Sequence, residues 1–286
     1  MRIADYHGLQ IVEFTGRDVE TFRALNPEHG EIFDHLQTAC AWLHKDDESG
    51  VICVNADMPV ERKRLSIVHE GGHSLMPWHQ GFDYLCGDGG IDSTTMSRIE
   101  REAFTCGSAF LMPPKHFITD VLSLDTSLAS VRQLARWYVT SFEATAIWYA
   151  STHPGYCGFL LAEPNPVVLG KRSAAGPHQF NLRLDSPDPT VAADLHNQLS
   201  VKYFVPSSHL PLFIRPGTAI PEGNVIHRAW TSGRHVRGEM KVSALGSSAS
   251  DRLRVDCEPW GSSGVVALLW LPDPRVGINF GPGVYA

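Results

Sequence analysis

The stretch "RLSIVHEGGHSLMPWHQG" carries His69 and His73 four residues apart, with Glu70 between them. At roughly 100° per residue, the two imidazoles leave one face of a helix about one turn apart and can converge on a single ion. Zinc suits such a pair, and a glutamate beside the first histidine stands next to the ion without binding it, where it can move protons. Two histidines do not complete a zinc site. A third protein ligand is required, with the fourth position open to water in a catalytic site.

Two third ligands are on offer. His79 lies six residues after His73, the spacing at which a glycine-turned chain returns a third histidine. The glycine position is Met76 here, so His79 reads as a polar end to the helix. The alternative is a carboxylate on the helix predicted from Ser97 to Leu111. A helical wheel with Ile99, Ala103, Cys106 and Phe110 inward puts Glu102 about 60° from the centre and Glu100 about 100° away on the other flank. Glu102 is then the predicted ligand and Glu100 a surface glutamate. Cys106, one turn beyond Glu102, is either a small buried hydrophobe or an inhibitory fourth ligand whose thiolate would hold the enzyme silent.

The elements that must position these residues are partly legible. Charged residues 61–64 and Pro77 bracket about three turns of helix around the histidines. Gly71 and Gly72 each cost that helix about 1 kcal/mol relative to Ala, so a strand or a substrate is expected to approach the backbone there. Residues 18–45 show mostly helical spacing, interrupted at Asn26-Pro27. Val51–Val54 reads as a short buried strand, and as the edge on which an extended substrate would pair. One long helix is predicted from Leu128 to Ala150. After residue 152 the texture changes to short apolar runs punctuated by Gly, Pro and Ser, with a helix predicted from Thr190 to Leu199.

Composition narrows the class. The chain has 286 residues, 43% of them hydrophobic and 19% charged, which describes a globular protein with a substantial core. No apolar run approaches the 18 residues of a membrane span, and the opening "MRIADYHGLQIVEF" has acids where a secretory signal would be apolar. Six scattered cysteines without a C-x-x-C pair fit reduced thiols in a cytoplasm. Residues 1–150 carry 12 Lys+Arg against 21 Asp+Glu, whereas residues 151–286 carry 12 against 10. The first half should therefore repel nucleic acid and the second tolerate it. Arg228, Trp230, Arg234, Arg237 and Lys241 form a basic-aromatic cluster in sequence, a pattern that can hold single-stranded DNA by charge and stacking.

"RKRLSIVHEGGH" followed by "IEREAFTCGSAFLMP" resembles the ImmA/IrrE-type zinc metallopeptidases, collinearly over about residues 50–150. The resemblance implies a zincin-like, mainly helical α+β domain with a short sheet over residues 1–152. A mixed α/β, GAF-like sensory domain would follow over 153–286. It carries His69, His73 and Glu102 over as Zn2+ ligands and Glu70 as general base. It further implies a cytoplasmic endopeptidase that cuts a helix-turn-helix repressor to release a stress, mobile-element or defence operon. The second domain would gate it through a small ligand or single-stranded DNA. Two positions depart from the family pattern: Phe104 replaces a usual Asn, and Cys106 a bulky apolar residue. The donor to the reaction's oxyanion is left open among Tyr84, Tyr138 and His116. The competing expectation is a zinc-containing regulator that binds nucleic acid and cleaves nothing.

Overall fold

The computed structural model describes residues 8–25, 41–45, 50–79, 93–167, 196–245 and 252–271. By packing, the chain divides into two units, Met1–His116 with Ala135–Ser141, and Phe117–Leu134 with Phe142–Ala286.

The first unit begins with β1 (Leu9–Phe14), α1 (Gly16–Leu25), β2 (Ala41–Lys45) and β3 (Gly50–Asn55). Strand β3 is the centre of the sheet, parallel to β1 and antiparallel to β2. Its β-branched residues fit a pleated, covered surface, and Ile52 and Val54 are fully buried. Val51–Val54 is therefore not an edge. Among the described strands the edges are β1 and β2. The stretch read as helical up to Lys45 ends in strand β2 instead, and residues 26–40 lie outside the described residues.

The buried Asn55 starts the turn out of β3 by accepting the Asp57 N–H at 3.0 Å. The Asp57 carboxylate in turn accepts the Gly16 N–H at 2.9 Å. The chain then enters α2 (Val60–Leu75), which stops where Met76 turns extended ahead of Pro77. A single 3-10 turn, Pro77–His79, follows.

The helices α3 (Ser93–Leu111), α4 (Pro114–Leu122), α5 (Leu128–Tyr138) and α6 (Phe142–Thr152) come next. The helix expected from Leu128 to Ala150 is thus two. The break falls at Val139, whose φ of 51° is uncommon for a β-branched residue. Arg64 of α2 holds it there, donating to the carbonyls of Tyr138 and Val139 at 2.9 and 3.0 Å. The period ran on through the break because apolar positions on both halves are buried.

Helices α2 and α3 pack closely because glycines face backbone. A Cβ on Gly72 would lie 3.0 Å from the Ala103 carbonyl, and one on Gly107 3.0 Å from the His69 nitrogen. The neighbour that excludes a side chain at Gly72 is thus a helix, neither strand nor substrate, and a Cβ on Gly71 would meet nothing within 4 Å. Gly107→Val should pry the helices apart and lower stability by about 1–3 kcal/mol. Gly71→Ala should raise stability by up to about 1 kcal/mol through helix propensity. Urea unfolding of the two variants checks both signs, and a Gly107→Val chain as stable as the parent would contradict the packing argument.

The second unit is built on β4 (Cys157–Val167), β5 (His196–Pro206), α7 (Val225–Ser232), β6 (Val236–Lys241), β7 (Arg252–Trp260) and β8 (Gly264–Trp270). The sheet is antiparallel in the order β5-β4-β8-β7-β6. Leu160, Val201, Val255 and Ala267 point to one face, under Ile226 and Ala229 of α7. On the other face, the Phe142 ring of α6 lies 6.2 Å from Phe159 and 4.9 Å from Trp260. Covered on both sides, β8 reads as the unbroken apolar run "GVVALLW".

Asp256 is completely buried on that second face, where it accepts the Leu128 N–H at the start of α5 at 2.8 Å. Burial alone would raise its pKa. Its bonds from Arg237, Leu128 and His235 outweigh that effect and hold it below the usual carboxylate value.

The helix expected over Thr190–Leu199 is contradicted from His196 onward, where the chain is already in β5. Pairing with β4 outweighs the local spacing that looked helical. Helix α6 lies against β4 and β5. The α+β class holds. No helix among the described residues is long and apolar enough to cross a membrane.

Candidate metal centre

His69 and His73 leave the face of α2 that meets α3, and Glu100 reaches them from α3. The two histidine Nε2 atoms lie 3.1 Å apart. Glu100 places Oε2 3.2 Å from His69 Nε2 and Oε1 3.6 Å from His73 Nε2. The three side chains form the cluster of metal-ligating groups among the described residues. Bonds of about 2.0–2.1 Å to a tetrahedral zinc put neighbouring ligand atoms about 3.3–3.4 Å apart. The observed spacings bracket that value, and two imidazoles with a carboxylate are donors zinc accepts. The residues present fit the ion.

Electrostatics agree with a cation-binding role. Burial would raise the Glu100 pKa, but the His69 and His73 imidazoles beside it hold it at about 2. Glu70 behaves oppositely: burial raises its pKa, despite nearby His69 and His73 and a hydrogen bond from the Leu43 backbone. That bond comes from β2, an end strand of the described sheet. Glu70, His69, Leu65, Ser66, Ala41 and Phe104 line a cavity of about 200 Å3. Phe104 is therefore a wall of this cavity.

The predicted third ligand, Glu102, is placed elsewhere. Its carboxylate accepts from Arg98 Nε at 2.8 Å and Trp78 Nε1 at 2.7 Å, and lies 3.2 Å from His79 Nε2. These bonds, Arg98 first, lower its pKa to about 2. The wheel was turned by about 60°: Phe110, assigned inward, is 41% exposed, while the stripe Glu100, Ala103, Gly107 faces α2 at spacings of three and four. That stripe of small residues, with a carboxylate at its head, was the available signal.

Cys106 is likewise not in the cluster. Its Cβ lies over Gly72, 3.4 Å from where a Cβ there would be, and burial raises its thiol pKa. His79, expected as a polar helix end, is instead fully buried against His73.

Of the three oxyanion donors considered, Tyr84 is outside the described residues, His116 is exposed, and Tyr138 ends α5.

The basic-aromatic cluster of the second unit does not gather on one surface. Arg228 and Trp230 ride on α7, with Trp230 half-buried against the core. Arg237 turns to the opposite face of the sheet and binds Asp256 at 3.1 and 3.3 Å. Arg234 stands exposed in the turn between α7 and β6. Arg228 and Lys241 border an open hollow of about 330 Å3 together with Glu222 and Glu239. The acids offset the cations there.

Comparison with known proteins gives two findings. The model of the IrrE N-terminal-like domain (Peptidase_M78) matches residues 19–147. A solved structure titled "Mycobacterium tuberculosis transcriptional regulator" is similar in fold, with a TM-score of 0.55 and 13% identity over 94% of this chain and 67% of that one. A search of the curated proteins finds no match.

Proposed function

Starting from residues 19–147 as a member domain of the IrrE N-terminal-like peptidase family, we propose that this chain is a zinc-dependent endopeptidase acting on a transcriptional regulator. The observation that carries the reading is the ligand triangle of His69, His73 and Glu100 with the buried Glu70 at its side. A purely structural zinc site has no use for an unligated carboxylate there.

His69, His73 and Glu100 would hold the ion. When bound, zinc supplies Lewis acidity, bringing the pKa of water from about 15.7 towards 7 and polarising a carbonyl. Glu70 takes the proton of the attacking water and delivers it to the departing amine. Its burial raises its proton affinity and so favours that shuttle. Strand β2 supplies the docking rail: the Leu43 N–H that now meets Glu70 belongs to an end strand of the described sheet, where an extended peptide adds by main-chain pairing. The cavity walled by Ala41, Leu65 and Phe104 receives an apolar side chain beside the scissile bond.

A helix-turn-helix repressor is the proposed substrate, and the proposed setting is a cytoplasmic stress, mobile-element or defence response. The second unit is read as a GAF-like sensor, supported by its antiparallel sheet covered on both faces and by the hollow beside α7. A small ligand suits that hollow better than single-stranded DNA, since Arg237 is committed to Asp256 and Trp230 to the core.

Incubating the full chain and zinc with the helix-turn-helix protein encoded beside its gene should yield two fragments with one defined new N-terminus. A chelator should stop the cut and added zinc restore it. Failure to cut that protein and every other helix-turn-helix regulator encoded near the gene would reject the substrate assignment.

A further inference from the structure

Beyond the ligand triangle, His73 touches a second set of side chains on its other ring nitrogen. His73 Nδ1 lies 3.0 Å from His79 Nδ1, and His79 Nε2 lies 3.2 Å from Glu102 Oε2. Both rings are buried, their side chains 2% and 0% exposed. Glu102 is pinned from outside by Trp78 Nε1 and Arg98 Nε. The contacts thus run in a line from the protein surface to the nitrogen opposite the one that faces His69 and Glu100.

With both rings neutral, one arrangement of protons satisfies this line. A carboxylate only accepts, so His79 carries its proton on Nε2 and donates it to Glu102. Its Nδ1 is then a bare acceptor and takes the Nδ1–H of His73. His73 is left with an unprotonated Nε2, aimed at the ligand cluster. An imidazole binds a metal through such a bare nitrogen, and the hydrogen bond on its other nitrogen fixes the tautomer and the ring's orientation.

We propose that His79 and Glu102 are positioning residues, a two-residue relay that presents His73 to the metal in its binding tautomer. The inference rests on the zinc reading of the site and adds a role to Glu102, which anchors the relay while Glu100 ligates. Pro77 and the 3-10 turn explain how the chain accomplishes this. They fold the six residues after His73 back so that His79 lies against the same ring. Trp78, 62% exposed, stays outside to cover the carboxylate.

The test uses the full-length chain and three variants: Glu102→Ala, His79→Phe and His79→Gln. Zinc affinity is measured by competition with a chromophoric chelator. The His73 tautomer is read in zinc-free, 15N-labelled protein by long-range proton–nitrogen NMR. Glu102→Ala and His79→Phe should each weaken zinc binding about 10–100-fold. His79→Gln should restore most of it, because the glutamine carbonyl accepts from His73 Nδ1 while its amide donates to Glu102. The parent's His73 should hold its proton on Nδ1 and lose that preference in Glu102→Ala.

Rescue by glutamine separates positioning from packing, which a phenylalanine would preserve better. If His79→Phe does not fold, Glu102→Ala at the rim decides the matter. Parental affinity and an unmoved tautomer in Glu102→Ala overturn the relay while leaving the zinc site standing. A parent that takes up no zinc, yet shows the Nδ1 proton and its loss in Glu102→Ala, overturns the zinc reading and leaves only the control of the His73 tautomer standing.

Discussion

Replacing Glu70 by glutamine should lower the rate of peptide cleavage by about 10²–10⁴, the usual worth of a general acid–base group. The amide matches the carboxylate in shape and still accepts the Leu43 N–H, so the fold and the zinc content should stay at parental values. What it lacks is a site for the proton that the attacking water must release. The measurement is kcat of the zinc-loaded chain on the helix-turn-helix substrate proposed above, with elemental analysis of the same preparation. Cleavage at the parental rate would show that the water is activated by another group, and the hydrolytic role of Glu70 would be lost.

Glu100→Ala should remove stoichiometric zinc, whereas Glu102→Ala should only weaken its retention. The first substitution deletes one corner of a triangle whose edges are 3.1, 3.2 and 3.6 Å. The affinity loss should exceed the roughly 10–100-fold cost of losing an outer-shell partner. The second removes a carboxylate that reaches the ion's ligands only through His79. Zinc per chain after dialysis against a moderate chelator distinguishes the two. The reverse order, with zinc lost from Glu102→Ala and kept by Glu100→Ala, would return the ligand role to Glu102.

His69, Glu70 and His73 were readable because a single helix turn relates them, and local periodicity decides such geometry. The choice between Glu100 and Glu102 depended on how α3 is rotated, which is a property of its partner. A wheel weighted by bulk turned Phe110 inward. The contact is instead made by small residues, Ala103 and Gly107, where the backbone of α2 leaves no room for bulk. The five-residue β2 was hidden at the end of a stretch with helical spacing, although it supplies the N–H that meets Glu70. The break at Val139 needed Arg64, 74 residues away from Tyr138, to hold it open. Strand β5 took residues whose local pattern looked helical because β4 offered a full ladder. The change of texture after residue 152 did announce the second sheet, but α6 sides with that sheet while preceding the change.

The glycines at the α2–α3 contact also bear on how the site comes into being. With Gly71 and Gly72 in mid-helix, α2 gives up about 2 kcal/mol of intrinsic helicity relative to alanines. A 16-residue segment so handicapped is a poor helix in isolation. It is completed by docking on α3, the same event that brings Glu100 to the histidines. Secondary structure and ligand geometry are therefore acquired together, and a nascent chain offers zinc only loose imidazoles until both helices are in place.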